Sequence, residues 1–210
     1  MSTSNGYRCE LRAAYDAMAE TRDREDYPAW KRDVRAAFLE LLQREGRARL
    51  LEIGAGPGRD GAFFAEYGLN VVCIDLSPEM VRVCGEKGVE AHAMDVVDLR
   101  FTDGSFDAVY SFNGLLHLPK FELPRALHEV RRILRPGGPF FLGLYGGFDR
   151  EGVWEGDTYR PKRFFSFHTD ECLIEAVAGV FDVVSFDRVP VEDADPRFHF
   201  QSLILRKGNS

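Results

Sequence analysis

LLEIGAGPGRD, residues 50–60, is an apolar strand that runs into an acidic residue and then into a glycine-dense turn. Glycines at Gly54, Gly56 and Gly58 permit positive φ and let the backbone come closer to a ligand than a side-chain-bearing residue allows. Ala55, between the first two, shares that loop. Glu52, two residues ahead of the first glycine, decides what kind of ligand is expected. A loop built for a dinucleotide places pyrophosphate at the following helix N-terminus, where amide donors and the helix dipole favour an anion, and a carboxylate alongside would oppose it. A nucleoside ligand that carries an ammonium and a sulfonium suits it instead.

On both sides of this loop apolar periodicity alternates between helix and strand. Trp30, Val34, Phe38, Leu41 and Leu42 recur at three-to-four spacing and predict a helix between Pro28 and Glu45, with an earlier one from Glu10 to Glu20. Strands are expected at Arg49 to Ile53, Asn70 to Asp75, Glu90 to Ala93, Phe106 to Phe112 and Phe140 to Tyr145. Such alternation specifies a parallel, doubly wound α/β sheet. Ser77 and Pro78 suit N-cap and first-turn positions, and Arg135 to Gly138, RPGG, stops a helix that begins near Glu122. The segment from Gly146 to His168 is rich in glycine, charge and aromatics, and its length suggests function. A helix from Thr169 to about Val180 then leads to Phe181 to Pro190 and Phe198 to Arg206, whose short connector argues for an antiparallel hairpin at the sheet edge.

A chain of 210 residues, 45% hydrophobic and 29% charged, is expected to form one domain with a real core. Its formal charge of −7 disfavours nucleic acid as the main partner. Cys9, Cys73, Cys84 and Cys172 show neither paired metal spacing nor a CxxC, so no metal is expected and the thiols read as reduced, in a cytoplasmic protein. No signal-peptide layout and no run near the roughly 20 apolar residues of a membrane helix is present, so no membrane association is expected.

The chain resembles the class I S-adenosylmethionine-dependent methyltransferases, particularly the small-molecule branch that includes the quinone-biosynthesis enzymes. Residues 50–206 carry the resemblance, through LLEIGAGPGRD, VVCIDLSPEM at Val71 to Met80, AMDVVDL at Ala93 to Leu99, FDAVYSFNGLLHL at Phe106 to Leu118 and HEVRRILRPGGPFFL at His128 to Leu142. RFFSFHTDE, Arg163 to Glu171, is similar to a segment of many bacterial members. The resemblance implies a three-layer, Rossmann-like, seven-stranded, mostly parallel sheet with an antiparallel C-terminal hairpin strand. Within one methyltransferase domain, residues 1–46 would form a helical cap, 47–145 the cofactor-binding core, 146–168 an aromatic lid or substrate loop, and 169–206 the terminal helix and hairpin. The cofactor implied is S-adenosylmethionine, with S-adenosylhomocysteine as product and a small molecule as acceptor.

Each site residue has a functional reading beside a plainer one. Asp75 ends the second strand, where a carboxylate accepts from both ribose hydroxyls, and Ser77 is the better helix cap. Leu76 and Met80 would wall the adenine, although Met80 reads equally as core. Asp95 follows the third strand and, with the Val96 amide, would meet the adenine amine; Asp98 competes but suits a turn. Gly54, Ala55 and Gly56 would pass under the methionine part and Glu52 would orient its amino group, with a backbone contact from Phe112. Asn113, Tyr15, Trp154, Tyr159 and His168 are candidate substrate contacts, each also readable as packing; Phe164 to Phe167 are expected partly in the core, with Trp154 and Tyr159 closer to the pocket. His117 is the candidate general base, because imidazole titrates near neutrality. Arg160, Lys162 and Arg163 read as a solvated face, and Arg59 replaces the small or hydroxyl residue often seen in relatives.

Other function classes compete. Gly56, Gly58 and Gly61 spell GxGxxG, but Gly56 lies three residues past the strand end and Glu52 is misplaced for pyrophosphate, against a nicotinamide oxidoreductase. Tyr27 and Lys31 spell YxxxK ahead of the loop, where short-chain dehydrogenase chemistry does not place it, and read as a chance match. A nucleic-acid or tRNA methyltransferase is disfavoured by FNGLL after the fourth strand and by the acidic balance. Ser111, Phe112 and Asn113 offer no carboxylate for a catechol-type metal site. A non-catalytic cofactor-binding protein remains an alternative, and the accepting atom, O, N or C, stays open.

Overall fold

A computed structural model describes residues 4–191 and 197–208. The chain runs α1 (Ser4–Asp16), α2 (Ala19–Arg24), α3 (Ala29–Arg44), β1 (Arg49–Ile53), α4 (Arg59–Glu66), β2 (Asn70–Asp75), α5 (Pro78–Gly85), β3 (Glu90–Ala93) and β4 (Ala108–Phe112). It continues with α6 (Leu123–Ile133), β5 (Pro139–Gly146), β6 (Arg150–Val153), β7 (Phe164–Phe167), α7 (Asp170–Ala178), β8 (Asp182–Pro190) and β9 (His199–Arg206).

Seven strands form one sheet in the order β3-β2-β1-β4-β5-β9-β8. Pairing is parallel from β3 to β5, and β9 runs antiparallel to both β5 and β8. The terminal hairpin therefore folds back so that its second strand, not its first, joins the sheet body. The direction of winding reverses between β1 and β4, and in open α/β sheets that crevice is where ligands bind.

Alternation along the central strands divides the core between the two sheet faces. Leu51, Ile53, Val109, Phe140, Leu203 and Leu205 pack with Ala126, Leu127 and Val130 of α6 and with Leu173 and Val177 of α7. Leu50, Tyr110, Phe141 and Phe200 face the other way, against Phe38 and Leu42 of α3 and Phe64 of α4. Glu52 shares that second face, in register with Cys73 of β2 and Tyr110 of β4. This parity carries a carboxylate beneath the start of α4.

Boundaries depart from the sequence expectation where side chains intervene. The helix expected from Glu10 to Glu20 begins earlier and breaks after Asp16, whose carboxylate turns away to accept from the Ser77 hydroxyl at 2.5 Å and the Glu79 amide at 3.2 Å. The strand expected from Phe106 starts at Ala108, because Asp107 uses its carboxylate to cap the Ala48 and Arg49 amides. The largest difference lies in residues 146–168. Expected as an aromatic lid or substrate loop, they hold an antiparallel pair, β6 with β7, while Phe165 and Phe167 enter the core, in line with the expectation that Phe164 to Phe167 are partly core.

Helix α1 lies across the carboxyl ends of the strands. Arg8 forms an ion pair with Asp95, which follows β3, and reaches Glu122 at 2.6 Å; Tyr7 donates to the same Glu122 at 2.9 Å. The pairs are only partly exposed, so screening by solvent is limited. Arg8→Ala is expected to leave the sheet intact but loosen α1, raising hydrogen exchange of amides in residues 4–16 by about tenfold or more, while β1 and β4 amides stay protected. Unchanged exchange in α1 would show that its docking does not depend on Arg8.

Candidate functional site

The loops after β1 and β4 touch backbone to backbone at the crossover. A Cβ on Gly54, whose φ is +69°, would stand 2.3 Å from the Cα of Gly114, and one on Gly114 would stand 2.3 Å from the Ile53 carbonyl oxygen. The Gly54 and Ala55 amides both donate to the Ile74 carbonyl, at 2.9 and 3.1 Å, which ties the loop down onto β2. Asn113 closes the other side with φ at +62°, its amide bonded to Gly143 at 2.7 Å and its side-chain oxygen accepting from the Tyr145 amide at 3.2 Å. That left-handed conformation is uncommon outside glycine and is held by these two bonds.

Two cavities meet at Gly54. One, of about 60 Å³, is lined by Asp75, Leu76, Asp95, Val96, His117 and the α1 residues Tyr7, Arg8 and Leu11. The other, of about 130 Å³, is lined by Glu52, Ala55, Gly56, Arg59, Asp60, Phe112 and Asn113, with Arg22, Tyr27 and Lys31 from the N-terminal helices and their link. Most of the residues expected at the site are thus brought together, in two groups on either side of one glycine.

In the first cavity, Asp75 accepts from the Gly56 amide at 2.8 Å and the Ser77 amide at 2.9 Å, one on each carboxylate oxygen. Burial raises its pKa, and these amide bonds oppose the rise. Asp95 accepts from the Val97 amide at 3.1 Å besides pairing with Arg8. Carboxylate oxygens accept more than one bond each, so both groups retain capacity toward the cavity.

Glu52 is 3% exposed, which excludes an exposed strand-end role. The Cys73 thiol donates to it at 3.3 Å and the Gly61 amide hydrogen-bonds it. Burial and the neighbouring Asp60 push its pKa well up. Asp60 is held by the Tyr27 hydroxyl at 2.6 Å and Arg35 at 2.9 Å. Two buried carboxylates beside one small cavity form a setting that a ligand cation would relieve.

His117 is buried between two partners. Its Nδ1 donates to the Phe164 carbonyl at 2.7 Å, which leaves Nε2 as acceptor for the Tyr15 hydroxyl at 2.6 Å. Arg163 donates to the same hydroxyl at 3.1 Å, and Tyr159 meets the Tyr15 ring edge-on at 5.7 Å. Burial, helped by the charges of Arg163 and Arg22, lowers the His117 pKa to about 3. The expectation of an imidazole poised near neutrality is therefore corrected: desolvation keeps this ring neutral.

That neutrality has a measurable sign. Unfolded, the imidazole takes a proton near its usual 6.5; folded, it does so only near 3. Between those values the unfolded chain binds the extra proton, so this contribution to stability is complete above pH 6.5 and is lost as pH falls toward 3, by about 1.4 kcal/mol per pH unit. Urea unfolding at about pH 7.5 and about pH 5 should show a loss about 2 kcal/mol smaller in His117→Asn than in the unsubstituted protein. Equal losses would mean that His117 is not held neutral. His168, lowered to about 4 by burial and then by Lys120, adds a similar dependence that the substitution leaves in place.

Five expected site residues line neither cavity: Tyr15 and Tyr159 pack behind His117, and three others lie farther off. Met80, near the start of α5, points inward and packs, fully buried, with Ala19, Val83 and Tyr15. Trp154 is 40% exposed, set edge-on against Phe165 and Phe167 over a separate groove with Phe148 and Phe198. His168 closes β7, where its carbonyl accepts from the Gly147 amide and the Gln201 side chain. Strand pairing in residues 146–168 turns Trp154 and His168 from the cleft. Arg163 is corrected in the opposite sense: it is not solvated but 13% exposed, bound to buried Asp157 through two nitrogens and stacked 3.5 Å from the Tyr159 centroid.

Sequence reasoning missed Tyr7, Arg8, Leu11, Arg22, Asp60 and the pair Tyr27 and Lys31. A helical cap over residues 1–46 is expected from the resemblance, but which of its side chains line the site follows from contacts with distant elements and not from the local pattern.

A family described as methyltransferase domain matches residues 50–138 of this chain. Phosphoethanolamine N-methyltransferase of Triticum aestivum is 30% identical over 160 residues, covering 72% of this chain and 31% of that protein. Ubiquinone biosynthesis O-methyltransferase of Xanthomonas oryzae pv. oryzae is 38% identical over 117 residues, covering 52% and 48%. The chain thus spans between about a third and a half of the length of these relatives. Among solved structures, the Burkholderia thailandensis 1,6-didemethyltoxoflavin-N1-methyltransferase with bound 1,6-didemethyltoxoflavin and S-adenosylhomocysteine superposes with a TM-score of 0.78 at 26% identity, covering 99% of this chain and 92% of that one.

Proposed function

This chain belongs to the class I S-adenosylmethionine-dependent methyltransferases, and we propose that it transfers a methyl group from S-adenosylmethionine to a small-molecule acceptor in the cytoplasm. The observation that carries this reading is the division of the cleft at Gly54, with Asp75 on one side and Glu52 on the other. Ribose hydroxyls require acceptors and an ammonium requires an anion, and the two carboxylates stand in the two cavities that those halves of the cofactor would fill. Asp75 would hold the ribose, Asp95 and Val96 the adenine, with Leu76 against its face. Glu52, Gly54, Ala55, Gly56 and Phe112 would hold the amino-acid part. Bound there, the cofactor supplies a methyl group already activated by its sulfonium, so alignment and exclusion of water are the chief demands on the protein.

An acceptor would lie between His117 of the first cavity and Asn113 of the second, with Tyr15 and Tyr159 packed behind His117. With Nε2 of His117 engaged by the Tyr15 hydroxyl, a proton released by an acceptor reaches the ring only through that hydroxyl oxygen. An imidazole this weakly basic positions Tyr15 better than it stores a proton, which favours an acceptor whose lone pair is already available. Nucleic acid is not favoured as acceptor, and among the described residues no helix is long and apolar enough to cross a membrane.

Calorimetric titration with S-adenosylhomocysteine, with NAD in parallel, tests the cofactor. Binding of the first alone is expected; binding of NAD alone overturns the reading. Transfer of labelled methyl from S-adenosylmethionine to members of a panel of amines, phenols and small acids then tests the reaction.

A further inference from the structure

The cavity on the Glu52 side is lined by two cations, Lys31 and Arg59, that no carboxylate among the described residues approaches to ion-pair distance. Lys31 is half-buried, and its ammonium stands 5.5, 5.4 and 5.9 Å from the ring centroids of Trp30, Phe112 and Tyr145. Arg59 donates to the Arg22 carbonyl, a neutral partner. Among the described residues neither Lys31 nor Arg59 has an ion-pair partner. Of the carboxylates that line the cavity, Glu52 is engaged by Cys73, Asp60 by Tyr27 and Arg35, and Glu25 by Arg22 at 3.4 Å, while Asp26 is exposed to solvent and not within ion-pair distance of either cation.

Aromatic rings stabilise an ammonium, yet burial still disfavours the charge on Lys31, and the charge of Arg22 adds to the cost; both lower its pKa. Cations converging on one concave, partly dry space raise the local concentration of anions and are relieved by binding one. We propose that Lys31 and Arg59 form an oxyanion subsite that takes a carboxylate or phosphate group brought into the cleft by a ligand. Two sources carry that chemistry: the amino-acid end of the cofactor and an acidic acceptor. This proposal rests on the function proposed above.

The test compares the unsubstituted protein with Lys31→Met, Lys31→Arg and Arg59→Met. Each is titrated calorimetrically with S-adenosylhomocysteine and with 5′-methylthioadenosine, which keeps the nucleoside and thioether but lacks the carboxylate. Inorganic phosphate is then titrated into each protein, free and loaded with S-adenosylhomocysteine. A charge-assisted hydrogen bond predicts a loss of about tenfold or more in the two methionine variants, with Lys31→Arg largely restored. Loss confined to S-adenosylhomocysteine assigns the subsite to the cofactor carboxylate; loss confined to phosphate assigns it to the acceptor. Unaltered binding of all three, or equal weakening of both nucleosides with phosphate unaltered, overturns the proposal. If the unsubstituted protein binds neither nucleoside, the cofactor reading fails, and phosphate binding to the free proteins still decides the subsite.

Discussion

Gly54→Ala is expected to lower the melting temperature by on the order of 10 °C and to abolish binding of S-adenosylhomocysteine. Two costs combine. A left-handed conformation costs a residue with a Cβ about 1–2 kcal/mol, and Gly54 has φ +69°. The new methyl would also sit 2.3 Å from the Gly114 Cα, a backbone atom that cannot swing aside, and overpacking of this kind adds about 1–3 kcal/mol. Each kcal/mol moves the transition of a protein this size by about 2–4 °C. Gly46→Ala separates the two terms, because Gly46 has φ +63° but a methyl group there would meet nothing within 4 Å. Scanning calorimetry of both variants should show the larger fall in Gly54→Ala. Equal falls would mean that the β1 and β4 loops do not press on each other at this point.

Asp75→Ala should weaken S-adenosylhomocysteine binding by at least about a hundredfold, the loss of two hydrogen bonds to a charged acceptor. The substitution also frees the Gly56 and Ser77 amides, so the glycine loop loses its tie to the end of β2. Asp75→Asn, which keeps an acceptor of the same shape without the charge, should fall between. Titration of the three proteins, with melting curves to set aside unfolded material, decides the matter: an Asp75→Ala protein that binds as tightly as the parent removes Asp75 from the ribose site.

The central sheet is readable in the sequence because its determinants are local. The strands from Arg49, Asn70, Glu90 and Phe140 each carry an apolar period closed by a glycine, a cap or a turn, and the structure keeps them within a residue or two. Cleft residues on strand ends, such as Glu52, Asp75, Asp95 and Phe112, inherit that legibility, since the end of a parallel strand fixes where its last side chains stand. The roof of the cleft does not follow from local pattern. Arg8 reaches Asp95 across 87 residues and Arg163 reaches Tyr15 across 148, and no periodicity within either segment encodes the other. The strand pairing within residues 146–168 escapes sequence reading for a related reason. The partial burial of Phe164 to Phe167 is legible from their apolar character, but alternation over the four residues of β7 is too short to set apart from a loop, and its pairing with β6 is not legible.

The order of strands also bears on how the chain is made. β5 is an almost wholly apolar run, and its outer edge is covered along eight residue pairs by β9, which lies beyond β6, β7, α7 and β8 in the chain. During synthesis that edge stays open until residues as far as Arg206 have left the ribosome, with β8 able to form only a provisional neighbour in the meantime. An open, hydrophobic strand edge is a template for pairing with other chains. Nascent chains arrested between β5 and β9 should therefore be the aggregation-prone species of this protein, and the ones that chaperones most need to shield.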